Sequence, residues 1–503
     1  MQTLQFLWDG FVIAAQPANL LYCFLGVLWG TVVGILPGLG PMAGMTLLLP
    51  LTFKLDPAAA IIMLAGIFYG AMYGGSLTSI LVRIPGEAAS VITCIDGYEM
   101  ARQGRAGPAL AIAAIGSWIG GVLSVVGLML FAPPMADAML KVGPPAEFVL
   151  MLMALVVMSF VSSTAPSKTI AMILLGLAVA TIGMDPITGF ARYTYGNLRL
   201  AEGLSFVSIA LGLFGVSEIL LNLENVADIK AIRPSFRSLW PSRKDWKEST
   251  PAIGRGTLIG FIFGLVPGVS HIISTFVSYV VERKLSKHPE RFGKGAIAGV
   301  AGPETANNAT TGSAMIPLLV LGIPAIPATA VLLSALLIHG VQPGPQLLID
   351  HPAVFWGLIA SMVIGNVMLL ILNLPLVSVF VNILRVPYPY LAPAILLISV
   401  IGVYSVNASP LDLWLLTACG VIGYVLRKFD FDVAPLLLAI VLGDRIEMAF
   451  RRSLTISDGS YAIFLEGPAV KVLLGGAVFF AVVLGLARLL GYGRDSNGFE
   501  KPA

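Results

Sequence analysis

The sequence predicts an all-α polytopic membrane protein built from two inverted-topology repeats with re-entrant hairpins. Composition is the first reason: of 503 residues, 57% are hydrophobic and 11% charged, with a mean hydropathy of +0.90. A soluble domain carries about 25% charged residues. The second reason is recurrence. Apolar stretches occupy nearly the whole chain, about eleven or twelve of them near the roughly 20 residues that span a bilayer. The third is a glycine–proline pattern that occurs twice. A net charge of +3 excludes a nucleic-acid-binding chain, and strands of alternating polarity, the mark of a membrane barrel, are absent.

The first Lys or Arg is Lys54. A cleavable signal peptide needs a basic leading region, so the early segments are expected to insert and stay. Cys23, Cys94 and Cys419 are odd in number and lack metal-ligand spacing, so no disulfide framework is expected.

Residues 26–38 read GVLWGTVVGILPG and residues 256–268 read GTLIGFIFGLVPG. Gly26, Gly30, Gly34, Pro37 and Gly38 match Gly256, Gly260, Gly264, Pro267 and Gly268 at a constant offset of 230. Glycines four apart form a helix stripe that lets backbones approach in lipid. The Pro-Gly pair at its end breaks the helix, and broken helices at membrane depth are tolerated where they are buried or line a cavity. A looser match pairs Gly75-Ser76 and Ile84-Pro85 with Gly312-Ser313 and Ile323-Pro324.

Charge sets the orientation. Lys230, Arg233, Arg237, Arg243, Lys244, Lys247 and Arg255 precede the second Pro-Gly segment, and Arg283, Lys284, Lys287, Arg291 and Lys294 follow it. Both flanks are cytoplasmic by the positive-inside rule, which makes the segment a re-entrant hairpin. The first Pro-Gly segment has external flanks, giving the halves opposite orientation. Residues 1–226 form the first repeat, with its re-entrant segment at 23–52. Residues 227–255 are a cytoplasmic basic linker. Residues 256–460 form the second repeat, re-entrant at 256–282, and 461–503 carry an extra transmembrane helix and tail. Apolar segments near 108–132, 146–163, 169–184 and 204–222 complete the first half. Those near 353–383, 388–406, 411–426 and 432–449 complete the second.

Polar residues at membrane depth are functional candidates. The densest run, Glu304 to Ser313, contains Asn307, Asn308, Thr310, Thr311 and Ser313; its first-half counterpart contains Gly75, Ser76 and Thr78. Amide and hydroxyl oxygens suit a small cation, and N–H groups freed at a helix break suit a carboxylate. The expected substrate site is therefore Gly38, Leu39, Gly40, Gly75, Ser76, Thr78, Pro267, Gly268, Asn307, Asn308, Thr310, Thr311 and Ser313, with Asn308, Thr310 and Ser313 as Na⁺ contacts. Asn366, outside both clusters, is expected to tolerate truncation. Arg83 and Glu87 are spaced for a local i, i+4 ion pair, against the alternative of an arginine forked onto substrate. His271, nearest a Pro-Gly tip, is expected to be a packed polar residue. Motifs for nucleotide hydrolysis or zinc proteolysis are absent, and no enzymatic activity is expected.

Several runs resemble the large membrane subunit of the tripartite tricarboxylate transporter family. They are Pro37-Gly38-Leu39-Gly40-Pro41, Tyr69-Gly70 through Ser76, Ile84-Pro85-Gly86, Asp96-Gly97-Tyr98, Phe292-Gly293, Pro303-Glu304 with Asn307-Asn308, Leu321-Gly322-Ile323-Pro324 and Arg451-Arg452-Ser453-Leu454. The chain departs from the family pattern at Ala325, where a glycine is expected, and at the charged Arg83 and Glu87. The resemblance implies a bacterial inner-membrane carrier of citrate or related carboxylates, driven by a Na⁺ or H⁺ gradient and needing no other cofactor. It implies two partners, a small transmembrane subunit and a periplasmic solute-binding protein. The binding protein is expected at the Lys/Arg-poor loops near 133–145 and 340–352. A channel and the permease of an ATP-driven importer are the alternative classes.

Overall fold

The computed structural model describes residues 2–36, 40–161, 164–185, 187–224, 239–266, 271–377, 379–380 and 388–476. Pro37, Gly38, Leu39, Pro267 and Gly268 lie outside them, as do most of the 227–255 linker's first half and most of the last apolar segment. Within the described residues the chain is almost wholly helical. Six helices there are long and apolar enough to cross a membrane, and four shorter apolar ones accompany them.

In the first half, α1 spans Gln2–Ala14, α2 Pro17–Ile35, α3 Gly40–Leu48 and α4 Pro57–Val82. Helix α4 starts cleanly because Asp56 accepts a hydrogen bond from Ala58 N at 2.9 Å and Pro57 occupies the first turn. It is apolar on all sides and buried on all sides. Next come α5 (Thr93–Met100), α6 (Ala106–Met139), α7 (Pro144–Val161) and α8 (Pro166–Ala180). A short hairpin pairs Gly183 with Arg192 and Met184 with Ala191. It leads through α9 (Leu198–Ala201) to α10 (Phe206–Ala210) and α11 (Ser217–Glu224).

In the second half, α12 is Arg243–Gly264, α13 His271–Leu285, α14 Ala298–Ser313, α15 Pro327–Ile338, α16 Leu347–Asp350 and α17 Pro352–Asn373. Three long helices follow, Tyr388–Asn407, Pro410–Lys428 and Ala434–Ile456, and then a short 3-10 turn at Tyr461–Phe464. A capping box between Ser242 and Asp245 starts α12. Arg255 on α12 meets Glu282 on α13 through two bonds of 2.7 and 2.5 Å. The two helices thus fold back as a hairpin whose open end lies at this pair.

The glycine stripes are packing surfaces. A Cβ on Gly26, Gly30 or Gly34 would overlap the backbone of α4 at Met63, Ile67 or Ala71. A Cβ on Gly256, Gly260 or Gly264 would overlap α14 at Gly302, Ala306 or Thr310. The contacted residues of α4 and α14 are 239 apart, the offset that also relates Ile84-Pro85 to Ile323-Pro324. Gly75-Ser76 and Gly312-Ser313, matched in the sequence, are two residues out of this register. Glycine against a carbonyl, rather than the composition of the polar runs, sets which turns face each other.

One end of the bundle carries a cluster of basic residues. There Arg105 meets Asp245 at 2.5 Å, Arg291 meets Glu248 at 3.1 Å, and Gln103 donates to Lys294 O at 2.8 Å. Asp96 accepts from the backbone N–H groups of Gly293, Gly295 and Ala296 at 2.8–2.9 Å. The Asp96-Gly97-Tyr98 and Phe292-Gly293 motifs therefore meet. The other end brings Thr52 to His339 and Gly10 to Trp356. Cys23, Cys94 and Cys419 are free thiols.

Candidate functional site

Helix α2 stops at Ile35 and α3 resumes at Gly40; α12 stops at Gly264 and α13 resumes at His271. Both resumptions face one cavity of about 410 Å³. Gly40 and Pro41 line it from the first break, and His271 and Ile272 from the second. Two further turns complete the wall, Pro85-Gly86-Glu87 and Ile326-Pro327-Ala328. Gly40 holds φ 60°, a left-handed conformation natural to glycine. An ion pair between Arg427 and Glu218 lies on the same wall, with the Arg427 guanidinium 5.3 Å from the Phe214 ring centre.

The two turns share a design. Arg83 ends α4 at φ 63°, ψ 24°; Gly322 stands before the second turn at φ 66°, ψ 26°. Ser90 Oγ donates to Glu87 O at 2.8 Å, and Thr329 Oγ1 donates to Ile326 O at 2.8 Å. Each hydroxyl faces the backbone N–H of the same partner.

The residues singled out in the sequence fall mostly one layer behind this wall. Of the expected set within the described residues, Gly40 lines the cavity. Ser76 donates to Glu304 and lies 3.3 Å from Met72 O. Thr78 donates to Gly75 O at 3.0 Å, and a Cβ on Gly75 would meet the Glu87 side chain. Asn307 Nδ2 donates to Glu87 Oε1 at 3.0 Å. Thr311 lies 3.2 Å from His271 Nε2. The wall residues Glu87 and His271 are thus held from behind by Asn307 and Thr311. The three suggested cation contacts do not converge. Asn308 Nδ2 turns toward α6 and Ser117 Oγ at 2.7 Å, whereas Thr310 and Ser313 both donate to Gly260 O of α12. Among the described residues no three His, Cys, Asp or Glu side chains cluster as metal ligands.

Two expectations are corrected. Arg83 and Glu87 form no i, i+4 pair, because the left-handed turn at Arg83 ends the helix between them. Arg83 instead sits 5.8 Å from the centre of the Tyr98 ring, while Glu87 accepts from Ala89 N at 2.7 Å. Asn366 does not lie apart from the polar clusters: its Oδ1 accepts from Tyr73 Oη, in the run that leads to Ser76, at 3.3 Å, and its Nδ2 donates to Met362 O at 2.7 Å. His271 is packed as expected, edge-on to Phe68 with 5.9 Å between ring centres.

Sequence reasoning left out Glu218 and Arg427 as wall residues. Their signal was weak: Glu218 stands in the first turn of α11 and Arg427 beside Lys428 in the last turn of Pro410–Lys428, places where charges ordinarily serve helix ends. Glu304 was seen within the polar run but not as its centre. Its two oxygens accept from Ser76 of α4 and Thr93 of α5, and its backbone carbonyl accepts from Ser117 of α6.

A family model described as the tripartite tricarboxylate transporter TctA family matches residues 20–438. The chain is 46% identical over 474 residues to an uncharacterized 52.8 kDa protein in the TAR-I ttuC' 3' region of Agrobacterium vitis, covering 94% of each chain. It is 48% identical over 216 residues to an uncharacterized protein in the TAR-II ttuC' 3' region of the same organism, covering 43% of this chain and 89% of that one. No solved structure matches.

Proposed function

The chain belongs to the tripartite tricarboxylate transporter TctA family, and from that membership we propose that it is the translocating subunit of a binding-protein-dependent secondary transporter for citrate or related carboxylates. The observation that carries this reading is the cavity where the starts of α3 and α13 meet the turns Pro85-Gly86-Glu87 and Ile326-Pro327-Ala328. A carboxylate leaving water there would be met by N–H groups at the starts of α3 and α13 and by Arg427, a fork donor suited to carboxylates. Glu218 would release the guanidinium as substrate arrives.

Alternating access follows from two inverted repeats that rock around this cavity. Support comes from the hairpin at Arg255–Glu282, which opens to the basic end, and from Thr52–His339, which puts the residues after α3 at the other end. Helix α17 connects the two ends. It starts beside Gly10 and finishes in a crevice with Ala111 and Leu239. The basic end faces the cytoplasm of a bacterial inner membrane. The opposite end receives the periplasmic binding protein, at loops near 133–145 and 340–352, and a small transmembrane subunit completes the complex. A Na⁺ or H⁺ gradient drives uptake.

The test is counterflow of radiolabelled citrate in proteoliposomes holding the complete complex. Saturable counterflow that needs the binding protein supports the reading. Flux without counterflow would point to a channel, and loss of uptake on ATP depletion at constant ion gradients would point to an ATP-driven importer.

A further inference from the structure

Glu304 and Glu87 are both buried, at 1% and 8% exposure. Glu304 sits on α14, and Glu87 stands at the turn that lines the cavity. They are near enough to interact electrostatically, and among the described residues neither has a cationic partner. Asn307, one residue short of a full turn from Glu304, joins them by donating to Glu87. Its own Oδ1 is buried and has no hydrogen-bond donor. Two carboxyl groups and a vacant acceptor therefore share one interior site with nothing positive in it. Uncompensated charge in such surroundings is costly, and an unsatisfied buried acceptor adds to the cost. A bound proton removes one charge; carried by Glu87, with the Asn307 amide turned so that its oxygen faces that carboxyl, it also supplies the missing donor.

The surroundings suit a proton. Ser76 and Thr93 flank the Glu304 carboxyl with hydroxyls, which can donate or accept. Ser76 can turn its proton to Met72 O, 3.3 Å away, and accept from a protonated Glu304. Other titratable groups around the pair are engaged or uncharged. From α4 comes Tyr73, bonded to Asn366. From α5 come the Cys94 thiol, which feels Arg83, and Asp96, held by three N–H groups and Tyr279 of α13. Glu282 of α13 is neutralised by Arg255 of α12, and His271 bonds Thr311. Helix α6 offers Ser117 and no ionisable group to α14.

We propose that Glu304, Glu87 and Asn307 form the coupling site of the transporter, and that the cation it loads is a proton. This deepens the secondary-transport reading and rests on it for the word coupling. Glu87 belongs to both the site and the cavity wall, so loading and substrate occupancy act on one side chain. The proton arrives from water on the outer side and leaves to the cytoplasm with the substrate.

The test uses the purified chain in lipid and infrared difference spectroscopy between neutral and alkaline buffer. A protonated-carboxyl C=O band that disappears on alkalinisation is expected. It should be lost or shifted in E304Q and in E87Q, move its midpoint in S76A, and not respond to Na⁺. An identical band in wild type, E304Q and E87Q overturns the proposal, as does a band abolished by Na⁺ at fixed pH, which would mark a sodium site. Thermal unfolding identifies a variant that has failed to fold; E87Q and S76A then carry the result. In proteoliposomes E304Q should lose citrate accumulation driven by a pH gradient. A wild-type band with no wild-type counterflow would leave the proton site standing and sink the transport reading instead.

Discussion

Arg83 and Gly322 adopt the same left-handed backbone conformation 239 positions apart, each immediately before an Ile-Pro pair. Only glycine takes that conformation freely; a residue with a Cβ gives up about 1–2 kcal/mol. Gly322→Ala should therefore lower stability by at least about that much, since its Cβ would also meet Arg445 and Pro343 O. Arg83→Gly should leave stability unchanged or raise it. Thermal unfolding in detergent reads both, and a larger loss at Arg83→Gly would show that its stacking on Tyr98 outweighs the backbone strain.

Gly260→Val places a branched side chain against the Ala306 carbonyl, which cannot retreat without moving α14. Overpacking of this kind costs about 1–3 kcal/mol or more. Gly254→Val, six residues earlier on the same helix, meets open space. The yield of folded protein should fall sharply for the first and hold for the second; equal yields would mean that the stripe is not a packing seam.

Asn308→Ala removes two hydrogen bonds and an unsatisfied carbonyl together, so its effect on stability should stay near about 1 kcal/mol. If the side chain contacts a ligand, citrate uptake should drop tenfold to a hundredfold, about 1.5–3 kcal/mol. Thr417→Ala, on the exposed face of Pro410–Lys428, is the control. Matched uptake by the two variants at equal membrane levels would remove Asn308 from the site.

Arg427→Ala should raise the citrate concentration for half-maximal uptake about tenfold to a hundredfold, the worth of a hydrogen bond to a charged group. Arg427→Lys keeps the charge but not the fork and should fall between. If Arg427→Ala lowers only the maximal rate, the side chain acts in the conformational cycle rather than in substrate capture.

Asp185 anchors the short hairpin. It accepts from Ile187 and Thr188 N–H at 2.9 Å and pairs with Arg451 at 2.9 Å. The backbone N–H bonds of Thr188 and Ile187, with Arg451 beside them, bring its carboxyl down to about 2. A lowered carboxylate contributes stability that is complete above its unfolded value, about 3.9, and is lost as pH falls through the folded one. Protection of residues 183–192 against hydrogen exchange, relative to the intrinsic rate at each pH, should thus hold at pH 5 and fall between about pH 4 and 2. In Asp185→Asn the exchange should already be fast at pH 7.

Much of the architecture was legible because its causes are local. Glycines at 26, 30 and 34 mark a close backbone crossing. The apolar segment near 108–132 appears within α6, and the one near 353–383 as α17 as far as Asn373. The cavity wall was less legible because it depends on pairing at long range. Arg83 and Glu87 are ideally spaced for a helix salt bridge, and only a left-handed turn between them sends Glu87 to Asn307, 220 positions away. Glu304 reads as one polar residue among several until α4, α5 and α6 bring it three hydroxyl groups.

Helix α4 is enclosed by protein along its whole transmembrane length. Its apolar surface therefore serves it during biosynthesis, when it must enter the bilayer before its neighbours exist. Ser76 and Thr78 cross with it and gain part of their shelter only when α14 and α17 have been made. The first half cannot mature alone: released early, it would hold a hydroxyl meant for Glu304 against lipid. Folding of the amino-terminal half is in this sense completed by the carboxyl-terminal half, and a split protein should recover its fold only when both pieces are made together.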